Sequence, residues 1–453
     1  MSQQDQDIDG YFTTARTAAR TGAVELPADS WTAYLVDHED PMLTEVRGLT
    51  YREFTDRRRE SPFLQGLLAS WQALYEEPFT GVTTDGTPRP DLYDLPAEPE
   101  PDPAPQTAAE ALLALLDPGQ RQALRHPVTA PQWRAWSNPE FVIHRVGLRL
   151  EELAEEQVAA VHGVLRASLS PEGHARVTGA MELNGVLGRL VDLPLVMNDR
   201  SYWFALYGTP DPLEPWGWQL FGHHVAVHFV SVGGRHVIAP VFLGGEPALT
   251  EDHPPLFAAR EATALELAGS LDAAQRARAV VYESVLDPAM PEGRVHPADE
   301  RHVAGAFRDN RVIPYEGIPA DELTEDQRAL LRAIAADSLL LLKEPQRAAA
   351  LELYDAHTAE TRFAWYGATD GTQPFYLRIQ SPVILAELDH HAGVWLGNRL
   401  PARFHVHTTL RHPHGNDYGR ALIDRWQQQR DGQQQDGQQR DGRAAQRGGR
   451  PAS

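Results

Sequence analysis

The sequence predicts an α+β protein with a mainly antiparallel sheet, built from a central and a C-terminal strand cluster and surrounded by helices. Three observations predict it. Apolar residues recur at helical spacing through much of the first 190 residues and again between 258 and 357. Two blocks, 201–244 and 361–410, are instead rich in aromatic and β-branched residues that alternate in places. Helices and strands arrive in blocks rather than in βαβ alternation, which argues against an all-parallel sheet.

Residues 1–80 read as helical pieces joined by polar turns, with Phe63, Leu67, Leu68, Trp71 and Leu74 at helical spacing. Residues 81–106 are rich in Pro, Asp and Glu, the composition of a linker or of a chain draped over a surface. The main α+β domain is expected over 107–425, opening with a helix over 107–125. The segment 148–170 is the clearest amphipathic helix, carrying Leu150, Leu153, Val158, Val161, Leu165 and Leu169 on one side. Pro171 and Gly173 punctuate it before a further helix. Strands follow at 201–208, 216–230 and 235–244, with Gly233-Gly234 as a hairpin signal. A long helix is predicted over 258–283 and two more within 321–357. The last strands are 361–367, 374–380, 382–389 and 403–410. From Trp426 to residue 453 the Gln/Arg/Gly-rich composition predicts a disordered tail.

Composition removes whole classes of chemistry. The 453 residues contain no cysteine, so thiolate metal sites, iron–sulfur clusters and cysteine nucleophiles are excluded. Lys343 is the only lysine, which excludes a phosphate-binding Gly-Lys-Ser/Thr loop. A net charge of −22 argues against nucleic acid or an anionic membrane as partner. The polar, acidic N-terminus lacks a signal-peptide pattern and no apolar run approaches a membrane span, so a cytoplasmic location is expected. There is no GxGxxG, GxSxG or HExxH pattern.

What remains is nitrogen and oxygen chemistry, concentrated in three places. The first is Gly222-His223-His224, followed by His228. Read as a strand, it puts His224 and His228 on one face and His223 among apolar residues on the other. The second is the strand ending at Asp389, where Glu387 and Asp389 point together. The third is 403–410, where Arg403, His405, His407 and Thr409 share a face. If the last two strands pair, two carboxylates and two imidazoles line one surface. A His-x-His pair on a strand is a sound chelate because period-two spacing aims both rings the same way. Arg378 and Arg411 can fork onto a substrate carboxylate, while Glu246 and Glu261 are further ligand or acid–base candidates.

The chain resembles a family found in bacteria and fungi, domain-of-unknown-function family 3500. The resemblance rests on TGVTTDG (80–86), QWRAWSNPE (132–140), GLRLEEL (147–153), RASLSPEG (166–173), PWGWQLFGHHV (215–225), PVFLGGEP (240–247), DNRVIPYEGI (309–318), FYLRIQSPVILAELDHHAG (375–393) and HVHTTLRHPHGNDYG (405–419). It covers most of residues 60–425. It implies that His223-His224, Glu387/Asp389 and His405/His407 fall inside the family's recognisable blocks, and it implies no particular activity. The chain departs from the pattern at His412, where threonine is expected, and at Leu388, where phenylalanine is commoner.

The expectation is a metal-dependent enzyme acting on an anionic small molecule. His223, His224, Asp389, His405 and His407 supply ligands to Fe, Cu, Mn or Zn, and Glu387, Glu246, Arg378 and Arg411 act on the substrate. Oxidative chemistry is favoured by the apolar, aromatic strands flanking these residues. A zinc-type hydrolase and a non-catalytic ligand- or protein-binding role are the alternatives.

Overall fold

The computed structural model describes residues 30–432. Its N-terminal part holds three helices, α1 (Pro41–Thr44), α2 (Tyr51–Arg59) and α3 (Pro62–Glu76). A capping box starts α2: Thr50 accepts the Glu53 amide and Glu53 accepts back. The Pro- and acid-rich segment then lies against the body. Val82 and Tyr93 are buried, and the Tyr93 hydroxyl donates to the Pro413 carbonyl at 2.9 Å.

Two halves with the same order of elements follow. The first runs α4 (Pro103–Leu115), α5 (Pro118–Leu124), β1 (Arg125–His126), β2 (Leu148–Arg149), α6 (Glu155–Ser168), α7 (Pro171–Leu190), β3 (Tyr202–Gly208), β4 (Trp216–Gly222), β5 (Val225–Val232) and β6 (Arg235–Gly245). The second runs α8 (Ala258–Ser270), α9 (Ala273–Ala279), β7 (Val280–Tyr282), β8 (Ile318–Pro319), α10 (Glu325–Ser338), α11 (Gln346–Ala356), β9 (Arg362–Tyr366), β10 (Tyr376–Gln380), β11 (Leu385–His390) and β12 (Val406–Arg411). Residues 420–432 are helical, so the expected tail opens with a helix; its remainder, and residues 1–29 of the N-terminal segment, lie outside the described residues.

All twelve strands join one sheet, ordered β1-β3-β4-β5-β6-β12-β11-β10-β9-β7, with β2 on β3 and β8 on β9. Its centre is the antiparallel pair β6·β12, so each half contributes one wing in mirrored order. The correspondence extends to side chains. Gln157 Nε2 donates to Gln120 and to the Leu115 carbonyl, and Gln327 Nε2 donates to Gln275 and to the Ser270 carbonyl. Gly147 and Gly317, at φ +82° and +84°, both lie so close to the first long strand of their half that a Cβ would fall 2.0 Å from a carbonyl oxygen.

The α+β class holds, while the sheet is mixed rather than mainly antiparallel in kind. Most pairings are antiparallel, but β1·β3 and β7·β9 are parallel. These outer strands have two or three residues and follow a helix, too short to show alternation and reached by the crossover that parallel pairing requires. The helix predicted over 258–283 is two helices and a strand: Asp272 accepts the Gln275 amide at 2.8 Å and starts a new helix. The helix read from residue 148 begins at Glu155, after β2 and a short 3₁₀ turn.

Cross-strand register sorts the residues by face. Leu243, Thr408, Leu388, Leu377 and Trp365 form one row; Gly244, His407, Asp389, Tyr376 and Tyr366 form the next, on the opposite face. Helices cover one face, where Trp218 Nε1 donates to Ser168 Oγ of α6. Irregular segments cover the other. Within 127–147, Trp133 stacks on Tyr207 at 3.7 Å. Within 283–317, the Val303 and Ala304 amides donate to Glu387.

Candidate metal centre

The pairing expected of the last two strands is present: Asp389 lies opposite His407 and Glu387 opposite Thr409. His405 precedes β12. Its Nδ1–H donates to the Ala392 carbonyl at 2.7 Å, so Nε2 is the acceptor nitrogen and takes a hydrogen bond from Nε2 of His407 at 3.0 Å.

His223 and His224 arrive differently from the strand reading. They form the turn between β4 and β5, with His224 in the left-handed region at φ +62°, so the two rings do not alternate across the sheet. They stack at 3.8 Å instead. The Asn138 side chain accepts the His224 amide at 3.0 Å, and the His224 carbonyl accepts the Gly244 amide at 2.8 Å. The His224 ring thereby reaches His405 and His407, with centroids 5.6 and 5.1 Å apart. Ligand atoms of His224, His405 and His407 lie within 4.8 Å of one another. His223 is held from behind, its Nδ1–H donating to Asn184 Oδ1 at 2.8 Å.

Gly244 makes this packing possible. It sits opposite His407, and a Cβ there would fall 2.7 Å from His407 Cδ2 and 3.1 Å from His224 Cδ2.

Two residues that the sequence reading passed over complete the cluster. His302 comes from the irregular 283–317 segment, where no periodicity marks it. His391 directly follows β11, and its signal was the His390-His391 doublet. Ligand atoms of His302, Asp389 and His391 again lie within 4.8 Å of one another. The His391 and His407 rings are 3.9 Å apart.

Burial keeps most of these imidazoles neutral. It pushes the His223 pKa down to about 3 and, against the opposing pull of Glu300, the Ala392 carbonyl and Asp389, that of His405 to about 4; it holds His224, His391 and His407 well below the ordinary histidine value, where neighbouring charges add to the effect. Neutral imidazole is the metal-binding form. His302 is the exception: burial opposes its charge, but Glu387 at 3.5 Å together with Asp389 and Asp299 outweighs burial and raises the pKa, so a metal bound to this ring would have to displace a proton.

A cavity of about 230 Å³ adjoins the cluster. His224, His391, His405 and His407 line it on the buried side, Leu67 and Trp71 among its apolar walls. Pro297, Val394 and Arg399 are its exposed lining. Glu300, at φ +44°, stands on the same wall; its carboxylate accepts the Ala392 amide and pairs with Arg301. A larger groove of about 790 Å³, bordered by Tyr75, Arg134 and Arg420, contains none of the clustered histidines. Of the two, the smaller cavity is the one that the clustered histidines line.

The other expected site residues lie apart from this cavity. Arg411 is wholly buried and bound to Asp309, Asp417 and the Ala304 and Gly305 carbonyls, a structural hub in which all three guanidinium nitrogens are engaged. Arg378 is buried beside Glu316 at 2.8 Å. Glu387 accepts from Val303, Ala304, Tyr376 and Thr409; burial would raise its pKa, but His302 and these donors hold it down to about 2, so it is a fixed anion rather than a spare base. Glu246 takes the amides of Val394, Trp395 and Leu396 on one oxygen and organises that loop; burial raises its pKa to about 7. Glu261 pairs with Arg403 at 3.0 Å. His228 donates to the Pro240 carbonyl and His412 to the Val383 carbonyl, both outside the cluster. Asp389 reaches the cluster, with Arg301 Nε 2.7 Å from Oδ1.

No helix among the described residues is long and apolar enough to cross a membrane. In comparison with known proteins, the family described as "Protein of unknown function (DUF3500)" matches residues 100–420. No curated protein and no solved structure matches the chain.

Proposed function

The chain belongs to the DUF3500 family, and we propose that this member is a metal-dependent enzyme that oxidises a small organic acid, with dioxygen as electron acceptor. The observation that carries the reading is convergence: His224, His405 and His407, from a β-turn and from the start of a distant strand, present neutral nitrogens to one point beside an apolar cavity. In this arrangement Nε2 of His405 and Nε2 of His407 share one hydrogen bond, and a cation would replace it with bonds to all three imidazoles. Nitrogen ligands select Fe, Cu, Zn or Ni over Mg or Ca. The apolar walls favour oxidative chemistry by excluding water, and Arg399 is the cation at hand for a carboxylate. Glu300 on the cavity wall supports a zinc-type hydrolase as the second reading, since a carboxylate beside a metal can take a proton from water.

The test is metal content and oxygen uptake. Full-length protein prepared without a histidine tag is assayed by inductively coupled plasma mass spectrometry, beside a His405→Ala/His407→Ala variant. Bound transition metal that the variant loses, with oxygen uptake on addition of small organic acids, supports the proposal. Zinc alone with no oxygen uptake favours hydrolysis. No metal after anaerobic reconstitution overturns both.

A further inference from the structure

We infer that the centre holds two transition-metal ions side by side, the second on His302, Asp389 and His391. This deepens the metal-dependent reading and rests on it. Four observations lead to the second position.

The three side chains are buried to within 3% of full enclosure and present ligand atoms within 4.8 Å of one another. They come from three places in the chain: the 283–317 segment, the end of β11 and the residue after it.

Their inward nitrogens are unsatisfied. Nε2 of His302 and Nε2 of His391 have no hydrogen-bond partner. Nε2 of His391 lies 3.2 Å from Asp389 Oδ2 without the alignment of a hydrogen bond. Buried polar atoms are almost always paired, and a bound cation would satisfy all three groups at once.

Two of the three candidate ligands, His302 and Asp389, are also held from outside. Nδ1 of His302 faces Thr409 Oγ1 at 3.2 Å and Glu387 Oε2 at 3.5 Å, which leaves Nε2 as the free nitrogen. Asp389 is fixed by Arg301, through Nε to Oδ1 at 2.7 Å and through the backbone amide to Oδ2 at 3.2 Å. A carboxylate retains lone pairs after two such bonds. Carboxylate partners behind metal-binding histidines fix ring orientation and raise basicity.

The two ligand sets touch. Asp389 and His407 are cross-strand partners, and His407 lies with its ring centroid 3.9 Å from His391 and 6.3 Å from His302. Two ions roughly 3.5–4 Å apart form a clamp on one substrate. The first position is all imidazole; the second adds one carboxylate.

The experiment titrates full-length protein anaerobically with Zn(II), and separately with Cu(II), after chelator treatment. The wild type and the variants His302→Gln/His391→Gln and His405→Ala/His407→Ala are compared, with circular dichroism on each. The inference expects two equivalents in the wild type, falling to one in the His302/His391 variant. It also expects spin coupling between two Cu(II) ions in the wild type's electron paramagnetic resonance spectrum, replaced by an isolated Cu(II) signal in that variant. One equivalent in the wild type, unchanged in the His302/His391 variant and lost in the His405/His407 variant, overturns the inference and leaves the proposed function standing. Two equivalents retained by the His302/His391 variant also overturn it. No binding by the wild type overturns both, and this outcome is read without any variant.

Discussion

Nε2 of His405 lies 3.0 Å from Nε2 of His407, and the first of these nitrogens is held as an acceptor because Nδ1–H is committed to the Ala392 carbonyl. Two nitrogens each ~2.1 Å from one ion, at right angles, are about 3.0 Å apart, so the pair is already spaced as neighbouring ligands. Either His405→Ala or His407→Ala should therefore weaken metal binding by more than the roughly 10–100-fold expected from losing an outer partner. Glu387→Gln, which removes no proposed ligand but alters the carboxylate behind His302 and its bonds from Val303, Ala304, Tyr376 and Thr409, should stay within that range. Competition against a chelator of known affinity measures both.

Gly244 is a tight steric constraint directly against the clustered imidazoles. Gly244→Ala places a methyl group 2.7 Å from His407 Cδ2, so His407 or the strand must shift. The expected result is a loss of about 1–3 kcal/mol of stability together with weakened metal binding. Gly269→Ala near the end of α8 meets nothing closer than 4.0 Å and should be neutral or slightly stabilising. Denaturant titration with metal analysis on the same samples compares the two.

Much of this was legible in the sequence. Period-two alternation put Glu387 with Asp389, as strands require; the strand expected over 403–410 begins only at Val406, so His405 meets His407 through its bonds to Ala392 and His407 rather than by alternation. The strand pairing followed from a loop of suitable length. The His223-His224 doublet was visible, but its geometry was not, since a turn with a left-handed residue breaks the alternation that the reading assumed. Arg378 and Arg411 looked like substrate clamps because sequence does not show that Glu316 and Asp309 already occupy them. His302 was invisible for a different reason: it lies in an irregular segment that carries no period and meets β11 and β12 only through tertiary packing. The duplication was hidden too. GLRLEELAEEQ (147–157) and GIPADELTEDQ (317–327) are identical at five of eleven positions, a match too short to stand out in the whole chain.

That duplication makes a paired prediction. Gly147→Ala and Gly317→Ala each put a Cβ 2.0 Å from a carbonyl oxygen, of Phe204 and Phe363 respectively, at a positive φ. Each should cost at least about 2–3 kcal/mol. Equal losses within error, read by equilibrium unfolding, are expected if the two positions are equivalent; a neutral result at either contradicts the close approach.

Asp337 supplies a pH prediction away from the centre. Burial would raise its pKa, but Arg260 and Arg176 outweigh burial and hold it down to about 2. Since the folded value is depressed, the stabilisation is fully present above the unfolded value near pH ~4 and is lost as pH falls towards about 2, worth on the order of 2 kcal/mol. Asp337→Asn should be less stable at neutral pH and should show a flatter decline across that window. Urea unfolding at a series of pH values checks the slope.

The most direct measurement is anomalous X-ray diffraction from crystals of the full-length protein, with data on both sides of the absorption edge of whichever metal co-purifies or is reconstituted. The account predicts an anomalous peak bonded to His224, His405 and His407 at about 2.0–2.2 Å. Metal peaks only elsewhere on the chain, with these three imidazoles hydrogen-bonded to one another or to water in crystals soaked in each candidate ion, would contradict it.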